Sequence, residues 1–173
     1  MKIIFLDVDG VLNSQNYLLN SNNKISNSIN PKKITLLKEL VDETGSNIVV
    51  TSAWRLSKNF QILKNVFQIH DLKIQDKTEL IRGKRGEEIK LYLQKHPNID
   101  NFVILDDEIF KDYDNYLLKH LVKTSFYIDG LTEEHIEQAK IILNKKRYKN
   151  KKIWQLICYI FFIIKKVIIW LYI

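Results

Sequence analysis

Residues 2–13 read KIIFLDVDGVLN, an apolar run that ends at two carboxylates one residue apart, followed by a glycine. The length and the β-branched and aromatic content of the run predict a buried strand. Asp7 then lies at the carboxyl end of a strand, where open α/β sheets bind their ligands. Asp7 and Asp9 point the same way along a strand, and Gly10 permits a sharp turn beside them. The pair suits a hard cation and acid–base chemistry.

The same Asp-x-Asp-Gly pattern also occurs in solvated turns and in calcium-binding loops. A calcium loop needs further oxygen ligands at alternating positions and an acidic residue that closes it. Residues 11–15 read VLNSQ and supply almost none of these ligands. The calcium loop is therefore excluded, and the rest of the chain decides between a turn and a catalytic site.

Two further apolar runs end in polar side chains. Residues 46–52 read SNIVVTS and precede Ala-Trp-Arg, and residues 102–108 read FVILDDE. Between them, residues 82–89 (RGKRGEEI) place cations at the start of a predicted helix. Each feature alone could be a helix cap, a surface charge or a turn. Their order, with each at a strand end or a helix start, predicts one shared site.

In this order the residues resemble the four motifs of the haloacid dehalogenase superfamily of phosphohydrolases. The likeness is greatest to the small branch associated with RNA-repair enzymes, and it covers roughly residues 1–144. The motif matches are Asp7 and Asp9, then Thr51 (alternatively Ser52), then Arg85 (alternatively Lys84), then Asp106 and Asp107. The third motif is more often lysine in the wider superfamily, so Arg85 is a departure from the pattern.

The alternation of strands and helices predicts an α/β fold, and the resemblance implies a Rossmann-like, three-layer arrangement. Its central sheet is expected to be mostly parallel, with helices on both faces and only a minimal cap. The predicted strands are 2–7, 47–51, 101–105 and 121–125, with a further short strand possible between 68 and 84. The predicted helices are 32–44, 56–67, 85–96 and 132–147.

Phosphoryl transfer requires a nucleophile, charge neutralisation at the equatorial oxygens and a proton for the leaving oxygen. We predict that Asp7 is the nucleophile and that Asp9 is the general acid and base. Thr51 and Arg85 would hydrogen-bond the phosphoryl oxygens.

One Mg²⁺ ion is the expected cofactor. Its predicted ligands are Asp7, the Asp9 backbone carbonyl and Asp107, with Asp106 in the same acidic set. Clustered carboxylates would otherwise repel one another and the substrate dianion. Further contacts to phosphate or substrate are predicted for Gly10, Ser52, Arg55 and Lys84.

Short connections between the motifs bear on the substrate. About forty residues separate the first two motifs and about thirty the next two, which is too few for a separate cap domain. An open site suits a phosphate on a large molecule such as an RNA or DNA end.

A response-regulator receiver is disfavoured because its acceptor Asp ends a later strand. A catalytically silent, membrane-tethered binding module with the same residues is the alternative function.

Charge and hydropathy divide the chain into a domain (1–144), a basic linker (145–152) and an apolar tail (153–173). Eight of the 27 Lys and Arg residues, and none of the 20 Asp and Glu residues, lie beyond residue 144. The tail predicts a membrane anchor or membrane-surface helix, with packing on its own domain or on a partner as the alternative. The basic linker predicts a cytoplasmic catalytic domain. The oligomeric state stays open.

Overall fold

The computed structural model describes residues 1–21 and 28–145, and it shows a five-stranded, wholly parallel sheet. The strand order is β3-β2-β1-β4-β5. The strands are β1 (Lys2–Leu6), β2 (Asn47–Val50), β3 (Ile74–Lys77), β4 (Asn101–Asp106) and β5 (Leu121–Lys123). The chain builds outward from β1 to one edge and then returns to add β4 on the other side of β1. The carboxyl ends of the central strands therefore flank the point where the order reverses, which is the usual ligand site of such sheets.

Helices cover both faces of the sheet and give it three layers. They are α1 (Gln15–Asn20), α2 (Pro31–Thr44), α3 (Asn59–Ile69), α4 (Arg85–Lys95), α5 (Asn115–Leu118) and α6 (Glu133–Asn144). Ile4 and Leu6 of β1 belong to a core cluster with residues of α2, α3 and α6. Ile3 and Phe5 belong to a second cluster with residues of α4 and α5. The alternation of side chains along β1 thus separates two cores.

The first long helix, α2, follows its sequence signals closely. The Asn30 side chain accepts a hydrogen bond from the Lys32 backbone N–H at 3.0 Å, and Pro31 is the first helical residue. Gly45 ends the helix with a φ of 63°, a left-handed conformation that glycine adopts without steric cost. Leu37 and Leu40 are fully buried on the face toward the sheet. This helix therefore supplies core packing and contributes no functional side chain.

The parallel α/β architecture confirms the sequence prediction, while several local elements differ from it. The short strand β3 is present, and helices α1 and α5 were not predicted. Both short helices begin at a polar cap, Ser14 and Asp114, and α1 buries no residue. Hydrophobic periodicity therefore gave little signal for them. The helix predicted from residue 56 is a 3₁₀ turn over Ala53–Leu56 followed by α3, because Ser52 caps the earlier turn.

The predicted tail lies outside the described residues. Lys145 is the last residue that the structure describes, so the linker and the apolar run over 153–173 stay predictions. Within residues 1–21 and 28–145, each helix is too short or too polar to cross a bilayer.

Two glycines with left-handed backbone conformations give a matched test of packing at the sheet edge. A Cβ on Gly130 would lie 2.6 Å from the Asn13 carbonyl oxygen and 2.8 Å from that of Val11, whereas a Cβ on Gly45 would meet nothing within 4 Å. Gly45→Ala should cost about 1–2 kcal/mol through backbone strain alone. Gly130→Ala adds a backbone clash and should cost at least about 2 kcal/mol more. Urea unfolding of both variants measures the difference, and equal losses would contradict the packing described.

Candidate active site

The carboxyl ends of β1, β2 and β4 bring three sequence-distant side chains together. Asp7 and Thr51 directly follow β1 and β2, and Asp106 is the last residue of β4. Backbone hydrogen bonds continue past the strands: the Asp7 N–H donates to the Leu105 carbonyl and the Thr51 N–H to the Leu6 carbonyl, each at 2.9 Å. The three functional groups are therefore fixed on the sheet itself.

Arg85, the first residue of α4, joins these side chains. Its Nη1 lies 3.0 Å from Asp7 Oδ1, 2.9 Å from Asp106 Oδ2 and 3.2 Å from Thr51 Oγ1. The guanidinium also lies 4.8 Å from the centre of the Phe110 ring, within the range of a cation–π contact. The structure thus brings together one residue from each of the four predicted motifs.

The neighbouring cation, Lys84, faces away from the site. Its ammonium donates to Glu87 at 2.9 Å, and about half of its side chain is exposed. Of the two residues left open for the third motif, Arg85 is therefore the one at the site. Lys84 is not among the residues that the geometry places near Asp7.

A cluster of three carboxylates lies beside Arg85. One oxygen from each of Asp7, Asp106 and Asp107 lies within 4.8 Å of the other two. Gly10 makes this approach possible, because a Cβ at residue 10 would lie only 2.3 Å from Asp107 Cγ. Gly10 also has a φ of 74°, which disfavours other residues. Gly10 acts by leaving space for Asp107.

The cluster fits a Mg²⁺ ion by its chemistry and its dimensions. Mg²⁺ prefers carboxylate and water oxygens, and two ligands about 2.1 Å from one ion lie at most about 4.2 Å apart. The carboxylate oxygens lie within 4.8 Å of one another, so binding of the ion would draw them slightly closer together. Asp106 already uses both oxygens, accepting from the Glu108 N–H at 3.0 Å and from Arg85. Asp7 and Asp107 are therefore the better direct ligands.

Asp9 stands apart from the three-carboxylate cluster and is exposed. Its two oxygens accept hydrogen bonds from Trp54 Nε1 and Asn13 Nδ2, each at 2.8 Å. The Asn13 side-chain oxygen in turn accepts from the Gly10 N–H at 2.9 Å. These contacts fix the Asp9 carboxyl at the solvent side of the site, where a general acid would meet a leaving group.

Arg55 and Ser52, predicted to contact substrate, are engaged within the protein. Arg55 is 4% exposed and donates to Glu88 at 2.7 Å and to the Thr78 and Ser52 carbonyls at 3.0 and 2.7 Å. Ser52 Oγ accepts from the Trp54 N–H at 3.3 Å and so caps the 3₁₀ turn. Burial lowers the pKa of Arg55, and Glu88 opposes that shift. Both side chains are therefore engaged in contacts within the protein, and their predicted contacts to substrate stay predictions.

Burial dominates the electrostatics of the acidic cluster. It raises the pKa of Asp7, against the opposing charge and hydrogen bond of Arg85. Burial, with the nearby Asp7 charge, raises the pKa of Asp106 to about 7, and burial also raises the pKa of Asp107. For Arg85 burial acts downward, but the charges of Asp7 and Asp106 leave its pKa raised. Three carboxyl groups thus share one guanidinium, and burial and their mutual repulsion favour the protonated forms unless a further cation is bound.

Glu88 is the main site residue that the sequence did not reveal. Its Oε2 accepts from Arg55 and lies 3.7 Å from Arg85 Nε, and its Oε1 accepts from the Ile81 N–H at 3.0 Å. The spacing from Arg85 to Glu88 is a helical i,i+3 pair, which was the available signal. Phe110 gave none, because its contact with Arg85 depends on the loop after β4.

Comparison with known proteins agrees with this geometry. The family model of the HAD domain in Swiss Army Knife RNA repair proteins matches residues 3–136. The chain therefore belongs to this haloacid dehalogenase-like family, and a phosphohydrolase-type function follows from that membership. No curated protein and no solved structure matches the chain.

Adjacent glutamates on α4 test the buried ion pairs. Glu88→Gln would leave Arg55 buried without a charged partner, so we expect a loss of about 3 kcal/mol in the free energy of unfolding. Glu87→Gln, the matched control, removes only an exposed pair with Lys84 and should cost less than about 1 kcal/mol. Chemical unfolding measures both. Similar losses for the two variants would show that the buried network does not stabilise the fold.

Proposed function

We propose that the chain is a Mg²⁺-dependent phosphomonoesterase that forms an aspartyl-phosphate on Asp7 and acts on nucleic-acid end phosphates. The convergence of Asp7, Thr51, Arg85 and the Asp106–Asp107 pair at one sheet edge carries the proposal. That set combines a carboxylate nucleophile, donors for phosphoryl oxygens and oxygen ligands for a hard cation.

The reaction has two steps. An Asp7 carboxylate oxygen attacks phosphorus, the bond to the leaving oxygen breaks, and Asp9 gives that oxygen its proton. Water then attacks the phosphorus of the aspartyl-phosphate and passes a proton to Asp9, which releases phosphate and restores Asp7. Trp54 and Asn13 keep the Asp9 carboxyl in place for both transfers.

Charge stabilisation is divided between protein and metal. Arg85 contacts both Asp7 and Thr51 through one nitrogen, which supports a role for Arg85 and Thr51 as donors to the equatorial phosphoryl oxygens. When bound by Asp7 and Asp107, Mg²⁺ supplies positive charge that offsets the carboxylates and polarises the phosphate. The hydrogen bond to Asp106 holds the Arg85 guanidinium beside Asp7 and Thr51.

Two observations support a large substrate. Asp9, the proposed acid, is exposed, so the leaving group of the substrate would extend toward solvent. The described part of the segment between β1 and α2 contributes only the six-residue helix α1, with no buried residue. The family name associates such domains with RNA repair. A polynucleotide end fits an open site of this kind.

Loss of the nucleophile should abolish turnover. Asp7→Asn should reduce phosphatase activity on p-nitrophenyl phosphate and on 3′-phosphorylated oligonucleotides by several decades, because amide nitrogen cannot replace the attacking carboxylate. Asp42→Asn, an exposed aspartate on α2, is the matched control and should retain wild-type activity. More than about 1% residual activity in Asp7→Asn would remove Asp7 from this role. An inactive wild-type chain that still binds oligonucleotides would instead favour the binding module.

Metal binding should depend on pH in a defined direction. The raised pKa of Asp106, about 7, means that the metal-free native state binds more protons than the unfolded state between about pH 4 and 7. The stability of the metal-free protein should therefore fall as pH rises through that window. Burial also raises the pKa of the proposed ligands Asp7 and Asp107, and Mg²⁺ would displace protons from them, so its stabilising effect should grow as pH rises.

Thermal melting in EDTA and in Mg²⁺ at pH 5.5 and pH 8 measures both effects. The rise in Tm on adding Mg²⁺ should be larger at pH 8 and should disappear in Asp107→Asn. Activity lost in EDTA should return with Mg²⁺. A Tm that Mg²⁺ leaves unchanged at both pH values would exclude the proposed metal site.

A further inference from the structure

The connection between β5 and α6 is tied to the active-site loop at both of its ends. Thr124 Oγ1 donates to the Gly10 carbonyl at 2.6 Å, and its N–H donates to the Asp106 carbonyl at 3.0 Å. At the other end, the Leu131 N–H donates to the Val11 carbonyl at 2.9 Å. Residues 125–130 are therefore held as a fixed loop beside the proposed nucleophile and its glycine.

The tip of this loop exposes two large side chains to solvent. Tyr127 is 79% exposed and Ile128 is 77% exposed. The Phe126 ring lies 5.5 Å from the Tyr127 ring in an edge-to-face arrangement, and the Phe126 carbonyl accepts from the Gln15 N–H at 2.8 Å. We call residues 126–128 the aromatic turn. Core packing does not account for the exposed Tyr127 side chain, and the proposed chemistry does not use it.

The aromatic turn lies within a short distance of the phosphate site. Tyr127 is three positions after Thr124 in the chain, which limits the distance between their Cα atoms to about 10 Å. Thr124 itself touches the Gly10 carbonyl. A strand whose terminal phosphate lies at Asp7 could therefore bring one of its first bases to Tyr127.

Local charge favours a polyanionic partner. Lys123 is exposed next to Thr124, and its charge acts on Asp107, where it opposes the rise in pKa caused by burial. Lys33 lies on the other side of the turn and pairs with Asp129 at 2.7 Å. Lys33 is buried and compensated by Asp129, and the domain as a whole is nearly neutral, so the charge that this region offers a polyanion is that of Lys123.

From this juxtaposition we infer that the aromatic turn is a base-stacking subsite, in which Tyr127 stacks on an unpaired nucleobase of the strand whose terminal phosphate lies at Asp7. The inference rests on the proposed function and adds a substrate-binding residue to it. Stacking on an aromatic ring tolerates every base, because each base has a π face. The subsite therefore selects single-stranded ends and not particular sequences.

Three substrates separate stacking from phosphate chemistry. They are p-nitrophenyl phosphate, a 3′-phosphorylated single-stranded oligonucleotide, and the same oligonucleotide with abasic residues at its three terminal positions. The wild-type chain should show a kcat/KM for the abasic strand that is about tenfold or more below that for the normal strand, since base–aromatic stacking commonly contributes this much. Hydrolysis of p-nitrophenyl phosphate needs no base and sets the basal activity.

Variants of one exposed side chain assign the effect to Tyr127. Tyr127→Ala should lower kcat/KM on the normal oligonucleotide about tenfold or more, chiefly through KM, and leave hydrolysis of p-nitrophenyl phosphate within about twofold. Tyr127→Trp keeps a stacking ring and should restore activity. On the abasic strand Tyr127→Ala should cause no further loss, as expected when both changes remove one interaction. Ile69→Ala, equally exposed at the end of α3, is the matched control and should behave as wild type.

Binding provides a readout that does not depend on turnover. Fluorescence anisotropy measures the affinity of the labelled normal strand for Asp7→Asn, alone and combined with Tyr127→Ala. Adding Tyr127→Ala should lower this affinity about as much as it raises KM in the active chain. If the wild-type chain hydrolyses no phosphomonoester but this loss persists, the proposed function fails and the subsite stands. Equal losses of Tyr127→Ala on all three substrates, or no loss on any, would overturn the subsite. A change in oligomeric state with unchanged oligonucleotide binding would also overturn it, in favour of a protein interface.

Discussion

The ion pairs of the buried Arg85 guanidinium are the constraint on which the site depends. Its Nη1 contacts Asp7 and Asp106 at 3.0 and 2.9 Å, and both aspartate residues are more than nine-tenths buried. Two such charges without a cation would carry a desolvation cost of several kcal/mol each. Glu88 lies between Arg85 and Arg55 and pairs with both, so oppositely charged groups alternate through the network. Each member of this network is therefore needed to keep its neighbours charged and in place.

The sheet determines where this network forms. Because β1 is central and β4 is its neighbour, Asp7 and Asp106 emerge side by side although almost one hundred residues separate them. The side chains sit on strand ends and on the first turn of α4, which are rigid elements, so their spacing is set by backbone hydrogen bonds. Gly10 contributes by what it lacks, since any Cβ there would displace Asp107. A phosphohydrolase-type site of this kind thus depends on the fold and on the glycine at position 10.

The parallel sheet and the motif residues are predictable from the sequence because both depend on local patterns. The apolar runs indicate strands by their residue pattern, and the polar residues Asp7, Thr51 and Asp106 mark where those strands end. The sequence could not show which of the polar side chains face the site, because the direction of a side chain depends on the tertiary structure. Arg55 and Lys84 are examples: the structure shows Arg55 buried against Glu88 and Lys84 exposed beside Glu87.

An arginine at the third motif, where lysine is more common in the superfamily, fits the surroundings that the structure gives it. One nitrogen of the planar guanidinium reaches Asp7 and Asp106 while Nε faces Glu88, and the plane lies against the Phe110 ring. A lysine ammonium is a compact charge without a second donor group along its stem, so it could neutralise the two aspartates but could not also face Glu88. Arg85, Phe110 and Glu88 therefore form one unit. Arg55 extends this unit, because Glu88 is shared between Arg85 and Arg55. Each of these buried charges thus has an oppositely charged partner.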